Sequence, residues 1–210
     1  MAHLKLQTPG KVIAVGLNYR SHAAELGMAV PDEPVLFIKP PSAVIAAGEA
    51  IVLPPSSRQV DYEAELAVVI GKTARSVGVD VAAAYVLGYT CANDVTARDL
   101  QKRDGQWTRS KSFDTFCPLG PWVESVAPQP DSLVELLLNG EILQSAPLSD
   151  MIFSPLQLVA FISGVMTLER GDVILTGTPP GVGPINAGDK VTVRIDGIGE
   201  LVNDVVLPGV

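Results

Sequence analysis

The sequence has few cysteines, few histidines and no surplus of basic residues, and these shortages exclude several classes of protein. Cys91 and Cys117 are the only cysteines among 210 residues, so a disulfide framework is excluded. The 15 Lys and Arg residues against 23 Asp and Glu residues give a net charge of −8. Because the chain is acidic and has no basic stripe, we expect it to bind neither nucleic acid nor an anionic membrane.

Long apolar runs and two familiar signal motifs are also missing. No stretch approaches the ~20 apolar residues that a membrane-spanning helix needs. The N-terminal residues MAHLKLQTPG lack the apolar core of a secretory signal, which together with two free thiols predicts a cytoplasmic protein. The Gly-rich segment TGTPPGVGP at 176–184 lacks the Gly-Lys-Ser/Thr of a phosphate-binding loop, so nucleotide binding is not expected.

What the sequence does contain is typical of a compact protein rich in strands. Hydrophobic residues make up 47% of the chain, and the 19 Gly and 17 Pro residues favour short strands joined by turns. No linker or repeat divides the chain, so we predict one domain over residues 1–210 with a mainly β (α+β) fold and a few short helices. The predicted elements include helices at 21–27, 94–105 and 154–164, a helix beginning at Asp80, strands at 34–40 and 61–71, and hairpins at 133–143 and 189–207.

Two glutamates interrupt the most strongly predicted strand, DYEAELAVVIG at 61–71. Side chains two apart in a strand point to the same side, so Asp61, Glu63 and Glu65 share one face. The opposite face is apolar and is expected to pack on the core. Two interpretations of the acidic face stay open: a solvated sheet face, or the floor of a cleft whose far end is buried.

A divalent cation would explain two carboxylates in a partly buried place. Without one, the carboxylates would repel each other and one would become protonated. An oxygen-only ligand set without His or Cys favours Mg²⁺ or Mn²⁺ over zinc. We predict the third ligand at Asp94, which falls where a strand is expected to end and a helix to begin. The alternative for Asp94 is an ordinary N-cap of that helix.

Five segments of the chain occur in the order found in the fumarylacetoacetate hydrolase family. They are NYRSHAAELG, DYEAELAVVIGK, NDVTARDLQ, SKSFDTFCPLGP and GDVILTGTPPGVGP. The chain resembles the short branch of this family, which includes acylpyruvate hydrolases and oxaloacetate decarboxylases or tautomerases. The resemblance implies a mixed β-roll, β-sandwich-like fold, a homodimer, and one Mg²⁺ or Mn²⁺ per subunit.

Five of the matched residues carry the chemistry that the resemblance implies. Glu63, Glu65 and Asp94 match the family's metal ligands, and His22 and Glu25 match its water-activating pair. The i, i+3 spacing of the pair on a short helix makes the two side chains neighbours, and a carboxylate beside an imidazole makes a workable general base. From spacing alone, the alternative is a surface helix with an incidental His. Because the helix is short and flanked by Gly, we hypothesise a lid that becomes ordered when substrate binds.

Three further residues have roles on the strength of the motifs only. Lys111 matches a catalytic lysine whose ammonium would steady charge on a substrate oxygen, and Gln101 and Thr178 match positions that contact substrate oxygens. Without the motifs, Lys111 and Gln101 are ordinary surface residues and Thr178 belongs to a tight turn between strands. Arg98 lies on the same predicted helix as Gln101 and could pair with a substrate carboxylate, with Asp94 or with Asp99.

The reaction that follows from these residues is cleavage of a C–C bond in a 2,4-dioxo acid. Breaking the C3–C4 bond leaves an enolate whose charge lies on an oxygen next to the divalent ion. We therefore predict a Mg²⁺- or Mn²⁺-dependent hydrolase of the acylpyruvate or fumarylpyruvate type. Oxaloacetate decarboxylation or tautomerisation and isomerisation of 2-hydroxyhepta-2,4-diene-1,7-dioate pass through the same enolate and stay as alternatives. A non-enzyme alternative is a β-rich protein with a structural Ca²⁺.

Overall fold

Strands account for most of the regular structure in the computed structural model, which describes residues 8–209. In chain order the strands of this part are β1 (Val12–Gly16), β2 (Val35–Lys39), β3 (Val44–Ile45), β4 (Ile51–Val52), β5 (Val60–Tyr62), β6 (Ala64–Ile70), β7 (Val86–Asn93), β8 (Thr96–Ala97), β9 (Cys117–Glu124), β10 (Leu133–Leu138), β11 (Glu141–Pro147), β12 (Val173–Leu175), β13 (Gly183–Pro184), β14 (Lys190–Ile195) and β15 (Gly199–Val206). The prediction of a mainly β fold is confirmed.

The helices of the described residues are few and short. They are α1 (Arg20–Glu25), α2 (Arg98–Asp104), α3 (Thr108–Lys111) and α4 (Pro155–Val165), with 3₁₀ helices at Pro41–Ala43, Ala82–Tyr85 and Leu148–Asp150. Helix α4 begins as its sequence predicts: Ser154 and Gln157 cap each other's backbone N–H groups, and Pro155 follows the cap. None of the helices within 8–209 is long and apolar enough to cross a membrane.

Three sheets organise the strands. The main sheet has the order β2-β1-β12-β6-β7-β9-β3, the second has the order β11-β10-β14-β15-β4, and a small third sheet has the order β13-β5-β8. In the main sheet β1 is parallel to β12, while β6 is antiparallel to both β12 and β7. Val12 and Val173 therefore lie side by side, and the chain segments that follow β1 and β12 emerge at the same edge of the sheet.

The larger hydrophobic cluster joins the main sheet to the second sheet. One face of β6 contributes Leu66 and Val68 to this cluster, and β10, β14 and β15 contribute to it from the second sheet. The other face of β6 contributes Ala67 and Val69 to a second buried cluster. Because both faces of the strand are buried, the interpretation of its acidic residues as part of a solvated sheet face is wrong.

The predicted strand over 61–71 is in fact two strands, β5 and β6, with a break at Glu63. The Glu63 backbone N–H donates to Oδ1 of Asn93 at 3.0 Å, and its carbonyl accepts from the Asp94 N–H at 2.9 Å. Strand β5 lies outside the main sheet and pairs with β8 and β13. Glu63 thus forms a corner between two sheets, which a pattern of alternating side chains does not reveal.

Three other predictions differ from the structure in extent. The helix predicted over 94–105 is shorter, because Thr96–Ala97 form β8 and α2 covers Arg98–Asp104. The helix expected to begin at Asp80 is only the 3₁₀ helix Ala82–Tyr85, and β7 begins directly after it. The hairpin around Asn139-Gly140 is confirmed, since both residues have positive φ as a two-residue hairpin turn requires. Its second strand, however, continues to Pro147 instead of ending at residue 143.

Candidate metal centre and active site

The strand break and the end of β7 bring three carboxylates together. Glu63 lies at the break, Glu65 lies on β6, and Asp94 directly follows β7. One oxygen from each lies within 4.8 Å of the others, and the residues are only 7%, 1% and 1% exposed. We call these three residues the acidic cluster. Asp94 is not a helix cap, because Ala97 occupies the N-cap position of α2.

Two buried lysines neutralise part of the acidic cluster. The Lys111 ammonium donates to Glu63 Oε2 at 2.8 Å and to Asp94 Oδ2 at 2.5 Å. The Lys39 ammonium donates to Asp94 Oδ1 at 2.5 Å and to the carbonyl of Val95 at 3.2 Å. Asp94 is therefore held from both sides, and both of its oxygens have fixed directions.

Arg98 holds the other side of Glu63. Its Nη2 donates to Glu63 Oε1, its Nε donates to Asp61 at 2.8 Å, and its Nη1 donates to Gln101 at 2.5 Å. The acidic cluster and Asp61 together contain four buried carboxylates, and the basic side chains paired with them are Lys39, Arg98 and Lys111. Three positive charges against four negative charges leave one negative charge uncompensated.

The uncompensated charge falls on Glu65. Among the described residues, Glu65 forms no ion pair, and its Oε2 accepts from the Gly177 N–H at 2.6 Å. Burial raises the pKa of Glu65, and the charges of Asp94 and Glu63 raise this pKa further. Burial acts in the same direction on Glu63, but Lys111 and Arg98 outweigh it and lower the pKa of Glu63 to about 2.

This donor set fits a divalent cation. It consists of carboxylate oxygens only, which suits a hard ion such as Mg²⁺ or Mn²⁺. Glu65 in particular is a buried carboxylate that lacks a cationic partner among the described residues. Glu63, Glu65 and Asp94 are therefore the residues that would hold the ion.

The acidic cluster lies at a cavity of about 310 Å³. Seven of the eight residues that the sequence nominates line this cavity: His22, Glu63, Glu65, Asp94, Gln101, Lys111 and Thr178. Apolar side chains complete its wall, including Leu26, Met28, Phe37 and Trp107. Glu25, the eighth nominated residue, is not among the residues that line the cavity, but it contacts His22, which is.

His22 and Glu25 form a pair on α1, which we call the α1 pair. His22 Nδ1 lies 2.9 Å from Glu25 Oε2, so the carboxylate contacts one ring nitrogen. The His22 side chain is 12% exposed and lines the cavity, whereas the Glu25 side chain is 43% exposed. The second Glu25 oxygen, Oε1, accepts from the Gly181 N–H at 3.1 Å and links α1 to the loop that follows β12.

A buried asparagine anchors the segment that joins β1 to α1. The Asn18 amide donates to the carbonyls of Thr176 at 2.7 Å and Phe153 at 2.9 Å, and it accepts from the Phe153 N–H at 2.8 Å. A Cβ at Gly177 would lie 2.7 Å from the Asn18 Cβ, so residue 177 must be glycine. The chain before α1 and the loop after β12 are therefore packed directly on each other.

A larger open groove lies beside the candidate site. It has a volume of about 700 Å³ and follows residues 35–38 of β2 and residues 105–108. The rings of Phe37 and Trp107 separate it from the smaller cavity, with their centroids 5.3 Å apart and their planes at 75°. The groove has no carboxylate among its lining residues, so the chemistry belongs to the smaller cavity.

Sequence reasoning misses two residues of the site. Lys39 ends an apolar strand and carries no motif, and Gln144 lies beyond the predicted end of its hairpin. Arg98, for which Asp94 and Asp99 are the protein partners that the sequence offers, pairs instead with Asp61 and Glu63. Only the charge of Lys39 at the end of an otherwise apolar strand could have indicated a buried partner. Gln144 is buried and donates to Thr178 Oγ1 at 2.9 Å.

Comparison with known proteins agrees with the motifs. Residues 11–206 match the family model described as fumarylacetoacetate (FAA) hydrolase C-terminal. The chain belongs to the fumarylacetoacetate hydrolase family. The resemblance to this family, proposed from five short segments, is therefore confirmed over nearly the whole chain.

Members of the family with different activities resemble the chain closely. Oxaloacetate tautomerase Fahd2a, mitochondrial, of Rattus norvegicus is 44% identical over 209 residues, covering 94% of this chain and 67% of that protein. The solved structure of 5-carboxymethyl-2-hydroxymuconate delta-isomerase from Mycobacterium smegmatis has a TM-score of 0.92 and 47% identity, covering 99% of this chain and 83% of that chain. Fumarylpyruvate hydrolase from Pseudomonas aeruginosa, solved with Mn²⁺ and pyruvate, has a TM-score of 0.91 and 34% identity. The match covers 99% of this chain and 96% of that chain.

Proposed function

We propose that the protein is a Mg²⁺- or Mn²⁺-dependent hydrolase that cleaves a C–C bond in 2,4-dioxo acids of the acylpyruvate or fumarylpyruvate type. The observation that carries this proposal is the placement of His22, the ring of the α1 pair, and the buried acidic cluster around one cavity. The fumarylpyruvate hydrolase relative, solved with Mn²⁺ and pyruvate, supports both the metal and a 2-oxo acid product.

Different residues of the cavity would bind the divalent ion and the oxygens of the substrate. A bound Mg²⁺ or Mn²⁺ would supply a Lewis acid for the adjacent carboxylate and keto oxygens of the 2-oxo acid. Lys111 lines the cavity with a buried ammonium and would stabilise negative charge on a substrate oxygen. Gln101 and Thr178 line the same cavity and would bind the remaining substrate oxygens by hydrogen bonds.

The α1 pair would activate water for the cleavage. His22 takes a proton from water while Glu25 orients the ring and stabilises its positive charge. The water oxygen bonds to C4, the C3–C4 bond breaks, and its electron pair passes to C3. The proton then goes to C3. The products are pyruvate and a carboxylic acid, which together contain the atoms of the dioxo acid and one water.

Tautomerisation of oxaloacetate is the second candidate. It is favoured by the 44% identity to a protein named oxaloacetate tautomerase, which exceeds the 34% identity to the fumarylpyruvate hydrolase. This reaction only moves a proton between carbon and oxygen, so it needs an acid–base group but no attacking water. His22 could fill that role at the same position.

A substrate panel with added Mn²⁺ tests both candidates. We expect loss of acetylpyruvate, followed by its ultraviolet absorbance, and formation of pyruvate in equal amount. Faster enol–keto conversion of oxaloacetate without acetylpyruvate cleavage would overturn the hydrolase proposal in favour of the tautomerase. Metal-dependent thermal stabilisation without turnover of any 2-oxo acid would contradict both and favour a structural Ca²⁺ site.

The homodimer stays a prediction from the family resemblance. Light scattering on the purified protein checks it, because a dimer has a mass near twice the 22.1 kDa of one chain. A mass equal to one chain at assay concentration would contradict it.

A further inference from the structure

A β-bulge places one buried amide behind the substrate cavity. In the hairpin of β10 and β11, Leu136 pairs with Gln144 while Leu137 pairs with Ile142, so Leu143 is the extra residue. A bulge re-aims the side chains beside it. Gln144 points inward and is almost fully buried, whereas Ile142 and Leu143 are exposed. Gln144 therefore extends from the second sheet to β6, the strand that contains Glu65.

The orientation of the Gln144 amide follows from two backbone groups whose roles cannot change. The Ala64 N–H, which can only donate, lies 2.9 Å from the atom that must be Oε1. The Pro179 carbonyl, which can only accept, lies 2.7 Å from the atom that must be Nε2. The same Nε2 lies 2.9 Å from Thr178 Oγ1. Thr178 Oγ1 is therefore the acceptor in this contact.

An acceptor role leaves the Thr178 hydroxyl hydrogen free for another partner. Among the described residues Thr178 Oγ1 donates to none, and Thr178 lines the cavity with the acidic cluster. We propose that Gln144 is a positioning residue that occupies the acceptor side of the Thr178 hydroxyl and so turns its hydrogen toward a substrate carboxylate or keto oxygen. This inference rests on the proposed function, because it needs an anionic 2-oxo acid in the cavity.

The loop around Thr178 is already fixed by other contacts, so Gln144 is not needed merely to hold the loop. Gly177 donates to Glu65, and Gly181 donates to Glu25 and accepts from the Tyr62 hydroxyl at 3.0 Å. A Cβ at Gly181 would lie 2.2 Å from the Leu143 carbonyl oxygen, so the loop rests directly on the bulge. Gln144 adds to these contacts one hydrogen bond to the Pro179 carbonyl of the loop and the direction of the Thr178 hydroxyl.

Removing the amide would redirect this hydroxyl. In Gln144→Met the Thr178 hydroxyl oxygen and the Pro179 carbonyl lose their donor, and the Ala64 N–H loses its acceptor. The direction of the Thr178 hydroxyl hydrogen is then no longer fixed. The bound anion then loses a hydrogen bond. Since a hydrogen bond to a charged group is worth about 1.5–3 kcal/mol, the expected loss of affinity is about tenfold or more.

The experiment measures oxalate binding by titration calorimetry with saturating Mn²⁺, and Mn²⁺ binding alone, in a double-mutant cycle. Gln144→Met and Thr178→Val should each weaken oxalate binding about tenfold, and the double variant should be no weaker than either single variant. Thr178→Ser, which keeps the hydroxyl, should bind as the wild type does. The affinity for Mn²⁺ alone should stay the same in all four variants.

Other outcomes overturn the inference in distinguishable ways. Multiplicative losses in the double variant, together with weaker Mn²⁺ binding, would show that Gln144 only supports the loop and Gly177. Unchanged oxalate binding in Gln144→Met, with an active wild type, would remove the inference and leave the proposed function intact. A wild type that binds Mn²⁺ but no oxalate and cleaves no dioxo acid would remove both.

A second variant covers the case in which Gln144→Met does not fold. Gln144→Glu keeps the size of the side chain and an acceptor for the Ala64 N–H but offers no donor to Thr178. It should weaken oxalate binding at least as much as Gln144→Met, because its carboxylate accepts the Thr178 hydrogen and repels the anion. Oxalate affinity equal to that of the wild type, or failure of both variants to fold, would contradict the positioning role.

Discussion

The acidic cluster and His22 of the α1 pair line the same cavity, but the two groups are held in opposite ways. The acidic cluster is buried at the centre of the main sheet, and ion pairs join Glu63 and Asp94 to Lys39, Lys111 and Arg98. The α1 pair stands on a six-residue helix at the surface, and Glu25 connects it to the opposite loop by one backbone hydrogen bond. The comparison indicates that the acidic cluster belongs to the core, whereas the α1 pair can be changed without disturbing the fold.

Asp94→Ala should have the largest effect, because it removes the carboxylate partner of buried Lys39 and leaves buried Lys111 with Glu63 alone. We expect metal-dependent turnover to be abolished and the free energy of unfolding to fall by about 3–5 kcal/mol. Urea denaturation and a turnover assay measure these effects. Asp204→Ala is the control, since its carboxylate pairs with Lys190 at 3.8 Å on the surface and contributes little. Equal stability of the two variants would show that the ion pairs of Asp94 do not support the core.

Glu65→Gln should separate metal binding from stability within the acidic cluster. The amide oxygen can still accept from the Gly177 N–H, and the substitution removes a buried charge that has no cationic partner among the described residues. We expect the affinity for Mn²⁺ to fall at least about 100-fold, while the melting temperature in EDTA stays equal or rises. Calorimetric titration and thermal melts check this. A clear loss of stability in EDTA would contradict the placement of the excess charge on Glu65.

His22→Ala tests the α1 pair as a water activator. We expect hydrolysis of a 2,4-dioxo acid to fall by about 10²–10⁴-fold, the usual worth of a positioned general base. Any decarboxylation of oxaloacetate should fall less, because that reaction needs no attacking water. The melting temperature and Mn²⁺ affinity should match those of the wild type. Equal loss of both activities would contradict water activation by His22.

Glu25→Gln should have the smallest effect of the four. The amide keeps a group near His22 and an acceptor for the Gly181 N–H but removes the charge that stabilises an imidazolium, so we expect a loss of about tenfold in turnover.

Hydrogen exchange of residues 18–30 in the wild type, measured with and without oxalate, tests the hypothesis that α1 is part of a lid. Exchange that oxalate leaves unchanged would contradict a lid.

Much of the acidic cluster could be predicted from local rules. The period of two along a strand places Glu63 and Glu65 on one side, although the strand pattern alone leaves open whether that side is solvated or forms the floor of a cleft. The helix cap of α4 and the Asn139-Gly140 turn follow from short motifs for the same reason: each depends on neighbours within four residues. The family resemblance then pointed to Asp94, which local rules alone left undecided.

The residues that local rules missed all depend on distant partners. Lys39 binds Asp94, which lies 55 residues away, and Gln144 binds the backbone of Ala64, which lies 80 residues away. The break at Glu63 likewise depends on Asn93, whose side chain takes the Glu63 N–H away from the strand ladder. The order of strands in the sheets brings these groups together, and no single segment of the sequence predicts that order.

The corner at Glu63 also restricts how the length of the chain can vary. Tyr62 ends a strand of one sheet and Ala64 begins a strand of another, so the corner contains one residue only. Deleting or inserting a residue here would rotate the following side chains to the opposite side of β6. Leu66 would then point where Glu65 does, and an aliphatic side chain would take the place of a ligand. Natural changes in length should therefore be absent from this corner and confined to surface turns such as Asn139-Gly140.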